Sequence, residues 1–208
     1  SVLVACVTTA FVAWPAFSAE EQAQDLAERD YNLIVTELRS GPPTEGTKAR
    51  VRNLVSSYPG TARFKILEAE LHFAESVRLR AAGDEVTSMM EEQAALRLLD
   101  ELDAMEDLSA RTRMSADRLG GWVHTKRRDW SRAEDCFRRA REFDPEGADL
   151  KAAHAQALVG AAEQRGPSAE RAQLAGEARR LIAELKPGEV PAEMRAALSR
   201  RLGALEAK

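Results

Sequence analysis

Three histidines and two cysteines are the side chains of this 208-residue chain best suited to metal binding or nucleophilic attack, and their spacing offers little of either. His72, His124 and His154 fall on three separate helical segments, without the short spacing that a metal site needs. Each reads as a polar residue on a helix face, with lining of a partner-binding surface as the functional alternative for His72 and His124. Cys136 stands between Asp135 and Phe137, where a carboxylate opposes thiolate formation, and reads as a small structural residue. Neighbouring acids such as Glu68 and Glu70, or Asp100, Glu101 and Asp103, read as solvated helix faces rather than acid–base pairs. The chain has no G-x-S-x-G, no G-x-x-x-x-G-K-[ST], no G-x-G-x-x-G and no H-E-x-x-H. The expectation is therefore a protein without catalytic residues, cofactor or metal.

Charge says more about partners than the titratable groups do. Asp84 to Asp107 holds nine acids and one base, whereas Arg111 to Arg141 holds ten bases and four acids. The blocks either attract each other within the fold, which exposed pairs do weakly, or the basic one meets an acidic protein or peptide partner. Lys126, Arg127 and Arg128 are the candidates for that contact, with Arg118 and Trp122 upstream on the same segment. A net charge of -4 argues against nucleic acid.

Residues 1–19 carry no charged side chain and end abruptly at Glu20. Pro15 followed by Ala16-Phe17-Ser18 reads as the end of a signal peptide, with cleavage after Ser18 or Ala19. Two alternatives stay open: a retained membrane anchor, since nineteen residues span about 28 Å as a helix, and a lipoprotein acylated at Cys6 within Leu3-Val4-Ala5-Cys6. Each places the remainder outside the cytoplasm, in the periplasm or cell envelope.

From Glu20 onward the elements that position these residues are helices, because apolar residues recur three and four apart and strand signals are absent. Tyr31, Ile34, Val35 and Leu38 form one stripe, Phe64, Leu67, Leu71 and Val77 a second, and Leu96, Leu99 and Leu102 a third. Breaks fall at Gly41-Pro42-Pro43, Pro59-Gly60, Gly83-Asp84, Pro145-Glu146-Gly147, Gly166-Pro167 and Pro187-Gly188. Short loops between helices of this length predict antiparallel neighbours. Pro191 suits the first turn of a last helix whose stripe is Met194, Leu198, Leu202 and Leu205.

The segment Leu119 to Gly147 carries a specific pattern: Leu119-Gly120-x2-Val123, then Trp130-x2-Ala133-x3-Phe137-x2-Ala140-x4-Pro145. It resembles a tetratricopeptide repeat. Ala133 and Ala140 permit close helix approach, Phe137 fills the gap within the pair, and Pro145 ends the second helix. Thr47-x3-Val51-x2-Leu54-x4-Pro59 repeats the spacing with other residues. The partner of the helix at Phe64 arrives about fifteen residues late, which predicts longer helices or an extra turn near Gly83. The resemblance implies an all-α right-handed α-solenoid of about four antiparallel pairs, about residues 20–59, 60–106, 108–147 and 148–187, capped by 190–206. It also implies a scaffold or adaptor that binds a protein or peptide on its concave face. Val55-Ser56-Ser57-Tyr58-Pro59-Gly60-Thr61 looks like the inter-repeat turns of envelope-assembly repeat proteins. The Lys, Asn and Arg set with which one groove of this family grips a peptide carboxylate is missing, since Arg118, Trp122 and Tyr31-Asn32 stand there instead. The alternatives are an accessory subunit of a membrane complex held by an uncleaved N-terminal helix, and a small helical enzyme or ligand-binding bundle.

Overall fold

The computed structural model describes residues 23–206, and they are helical from end to end, with no β-strand among them. The signal, anchor and lipidation readings of residues 1–19, including Cys6, lie outside the described residues. The chain divides into two compact units at Ser88/Met89, inside one continuous helix.

The first unit holds α1 (23–40), α2 (Glu45–Ser57), α3 (Ala62–Ala81) and the start of α4 (Glu85–Asp103). Thr44 caps α2: its Oγ1 accepts from the Thr47 N–H at 3.1 Å, and Thr47 Oγ1 accepts from the Thr44 N–H. Thr47 is fully buried and donates its hydroxyl to Glu37 at 2.7 Å, so the small position of the motif is filled by a side chain that both caps and ties α1 to α2. The core joins Ala27, Ile34, Val51, Leu54, Phe64, Leu67 and Leu71. Tyr31 and Tyr58 pack their rings on Phe64 at 6.0 and 5.6 Å, and the Arg63 guanidinium lies 4.9 Å from the same ring. Val77, placed in the α3 stripe by sequence, is exposed. It lies six residues beyond Leu71, which is off the face that Phe64, Leu67 and Leu71 share.

Glu75 sits nearly buried on α3, where Arg78 Nη2 donates to it at 2.6 Å and Lys48 Nζ of α2 at 3.0 Å. The hydrogen bond from Arg78, reinforced by Lys48 and opposed by burial, pulls its carboxyl down to about 2 from 4.5. A lowered carboxyl stabilises the fold above the unfolded value, and that contribution disappears as pH falls from 4.5 to about 2. Glu75→Gln is expected to lose about 2 kcal/mol at pH 7 in urea unfolding of the full chain. The gap between variant and parent should close by about pH 2. A gap independent of pH would remove the ionised carboxylate from the account.

The α3–α4 turn carries Gly83 at φ 84°, with Asp84 N–H bonded to Leu79 O and Gly83 N–H to Arg80 O. This closure needs a left-handed residue after the helix, the conformation that glycine adopts most cheaply. The late arrival of the partner segment is thus explained by length, since α3 and α4 run for 20 and 19 residues around an ordinary tight turn.

The second unit continues α4 and adds α5 (Ala110–Lys126), α6 (Trp130–Phe143), α7 (Ala148–Gln164), α8 (Ala169–Glu184) and α9 (Ala192–Glu206). Ser109, Asp129 and Ser168 cap α5, α6 and α8 through their side-chain oxygens. Each of α5 to α8 packs on its successor, α7 also packs on α9, and α5 touches α7. Being enclosed by its neighbours on several sides, α7 is buried nearly all round, and its alanine-rich sequence suits that position. One apolar cluster joins Ala133, Phe137 and Ala140 of α6 to Leu150, Ala153 and Ala157 of α7, and another joins α7 and α8 to Leu198 and Leu202 of α9. Met194 is exposed, because the packing that buries Leu198 and Leu202 does not reach the first turn of α9.

Candidate functional site

Helix α5 and the turn after it carry most of the residues marked by sequence. Arg118, Trp122 and Lys126 recur every four residues and share one face, with Arg127 and Arg128 in the turn. Arg118 is half-exposed, and its Nη1 lies 3.9 Å from Asp149 of α7. Trp122 is half-buried: its ring meets Phe137 edge-on at 5.3 Å, so the indole is at least partly a packing group. His124 is 8% exposed and faces another way, and the structure does not bring it to Arg118 and Trp122. His72 is half-buried on α3, in the first unit.

The basic turn repeats the geometry found at Gly83 with a different residue. Asp129 N–H bonds to His124 O at 3.0 Å, Arg128 N–H bonds to Thr125 O at 3.1 Å, and Arg128 takes φ 59°. It is the only non-glycine residue with positive φ among the described residues. A side chain there costs roughly 1 kcal/mol relative to glycine. Gln164 Nε2 of α7 donates to the Arg128 carbonyl at 3.1 Å and anchors the turn. Arg127 reaches Glu92 of α4 at 4.0 Å, so one member of the basic block does meet the acidic block within the fold.

Behind this surface the repeat-like residues stand as follows. Leu119, Ala133, Phe137 and Ala140 are buried, while Pro59 and Pro145 are exposed just past the ends of α2 and α6. The tight crossing of α5 on α6 falls at Gly121, one residue beyond the Leu119-Gly120 pair. A Cβ on Gly121 would lie 2.6 Å from the Phe137 ring, whereas one on Gly120 would meet Cys136 Sγ at 3.3 Å. A second crossing places Trp130, half-buried at the start of α6, against Gly160 of α7, where a Cβ would lie 2.3 Å from the indole. Sequence spacing missed Gly121 and Gly160. The adjacent glycines at 120 and 121 were the available signal for the first, and an isolated glycine in an alanine-rich helix for the second.

Two polar groups lie deeper still. His154 is fully buried on α7, with Nε2 3.3 Å from Glu134 Oε1 and Nδ1 3.2 Å from Arg141 Nη1. An arginine only donates, so Nδ1 accepts from Arg141 and the ring nitrogens bridge α6 and α7. Asp117 of α5 is buried and accepts from Arg139 Nε of α6 at 2.8 Å. Burial outweighs that guanidinium and pushes the carboxyl above its ordinary value. Burial also pushes the Cys136 thiol up to about 11, which leaves it protonated and unreactive at neutral pH.

Among the described residues no cluster of histidine, cysteine and carboxylate side chains has metal-binding geometry, and no helix is long and apolar enough to cross a membrane. No protein-family model, curated protein or solved structure matches the chain. What the fold defines is an all-helical protein of sequentially packed helices.

Proposed function

We propose that the chain is a non-enzymatic scaffold, a tetratricopeptide-like right-handed solenoid of helix pairs that holds an acidic protein or peptide partner in the bacterial cell envelope. The observation that carries this reading is the packing order in the second unit, where α7 adjoins α5 on one side and α9 on the other, while α6 packs on both α5 and α7 and α8 on both α7 and α9. Stacked helix pairs generate that order, with the first helix of each pair forming a continuous row. Support also comes from the Gly121–Phe137 crossing and from the same left-handed closure ending α3 and α5. The row presents Arg118 and Trp122, and the basic turn lies at the end of α5. An arginine kept in a conformation better suited to glycine is consistent with selection for its side chain.

The test is charge reversal of the turn. Lys126→Glu, Arg127→Glu and Arg128→Glu together should abolish recovery of the crosslinked partner from envelope fractions while leaving the helical circular-dichroism spectrum intact. Recovery of the same partners at the same yield would overturn the role given to the turn.

A further inference from the structure

The outer face of α1 carries two leucines that the fold leaves in water: Leu26 is 60% exposed and Leu33 47%. They stand seven residues apart, so both lie on one line along the helix. The opposite face of α1 already supplies Ala27 and Ile34 to the core of the first unit, with Tyr31, Val35 and Leu38 packed against it. The helix is therefore apolar on two sides, although a surface helix needs only one such stripe. Isolated exposed leucines are ordinary, and what sets this pair apart is the charge between them. Arg29 and Asp30 fall half-way from Leu26 to Leu33, one on each flank of the line, and both are exposed. Further along the same face Thr36 and Ser40 donate their hydroxyls to the Asn32 and Thr36 carbonyls of their own helix at 2.8 and 2.5 Å, so covering them strands no donor. Leu26, Arg29, Leu33, Thr36 and Ser40 thus follow the alternating three- and four-residue spacing of a two-helix seam.

We infer that this face pairs with the same face of a second copy of the chain, the two α1 helices lying parallel about a two-fold axis that runs along them. The charges select both the partner and the direction. In the parallel arrangement Leu26 meets Leu26 and Leu33 meets Leu33, and the two-fold axis sets the Arg29 of each copy against the Asp30 of the other. Two oppositely charged pairs then border the leucine layers, one on each side. Turned antiparallel, with Leu26 opposite Leu33, the same helices would set Arg29 against Arg29 and Asp30 against Asp30, and like charges across an interface oppose association. An unrelated apolar helix would cover the leucines and leave the two flanks of opposite sign unmatched, whereas a second copy matches both. The seam lies in the first unit and uses none of Arg118, Trp122 or the basic turn. If that turn holds an acidic segment, pairing joins two such turns, and a partner carrying two acidic segments gains an avidity that a single chain does not supply.

Sedimentation equilibrium of the full chain at low salt should show reversible exchange between monomer and dimer. Leu26→Gln with Leu33→Gln should weaken association at least about tenfold. Both side chains are exposed, so the helical circular-dichroism spectrum of that variant should match the parent. Arg29→Glu should weaken association about tenfold, because each pair becomes two carboxylates. Adding Asp30→Arg should return it to the parent value by restoring both pairs with the signs exchanged. Charge reversal of Lys126, Arg127 and Arg128 should leave the dimer unchanged, which separates this surface from the turn proposed to hold the partner. A chain that stays monomeric, a dimer indifferent to the two glutamines, or an Arg29→Glu loss that Asp30→Arg does not rescue would each overturn the proposal.

Discussion

Phe137→Ala is expected to cost about 3 to 5 kcal/mol in urea unfolding, the largest effect of any single truncation in the second unit. The ring is fully buried, meets Trp122 edge-on, and belongs to the cluster that joins α6 to α7. Its removal leaves a cavity among Ala133, Ala140, Ala153 and Ala157, whose methyl groups are too short to refill it. The same ring sets the sign of a change at Gly121. In an ordinary helix interior Gly→Ala gains about 1 kcal/mol. Here the new Cβ would lie 2.6 to 2.7 Å from three atoms of a ring with no room to retreat, so Gly121→Ala should instead lose about 2 kcal/mol. In the Phe137→Ala background the obstruction is gone and alanine at 121 should be neutral or stabilising. Strong coupling of this sign in the double-mutant cycle is the outcome expected. Simple additivity would show that α5 and α6 do not cross as described.

The second large effect concerns charge. Arg139→Met removes the guanidinium from Asp117, a carboxylate with 4% of its side chain exposed, and should cost about 3 kcal/mol at pH 7 because a buried charge is left without its partner. The sign of the pH dependence follows from the direction of the Asp117 shift. A carboxyl raised in the fold favours stability below its unfolded value near 3.8 and opposes it once pH climbs through the folded value. Losing the cation raises the folded value further, so the deficit of Arg139→Met should be full at neutral pH and shrink steadily on acidification. Asp117→Leu with Arg139→Met should recover most of the loss, since two apolar groups demand no compensation. A deficit that does not change between pH 7 and pH 4 would mean that Asp117 is not the group left stranded.

The all-helical character of the chain and the position of most of its breaks were legible in the residues. Gly83, Pro59 and Pro145 interrupt periodic apolar stripes, and the structure ends helices beside each of them. The burial of Ala133, Phe137 and Ala140 was also legible, because their spacing places them on one helix face, and that relation is local. The stripe reading failed where residues were included by proximity rather than phase, as at Val77, or lay past the end of the neighbouring cover, as at Met194.

The charged residues behaved differently. Asp117, Asp100 and Asp103 look alike in sequence, yet one is buried against Arg139 and the other two are exposed on α4. His124 and His154 are equally anonymous, yet one faces the Asp129 carboxylate at 3.7 Å, too far for a hydrogen bond, and the other bridges two helices. Helix formation depends on residues three and four apart, so the sequence by itself determined the secondary structure and the apolar faces. Whether a given charge meets a counter-ion, a cavity or water depends on residues twenty or more positions away, as Arg139 is from Asp117. Only the tertiary structure decided which of the two crossing glycines, 120 or 121, carries the contact, and which aspartate is buried against a counter-ion.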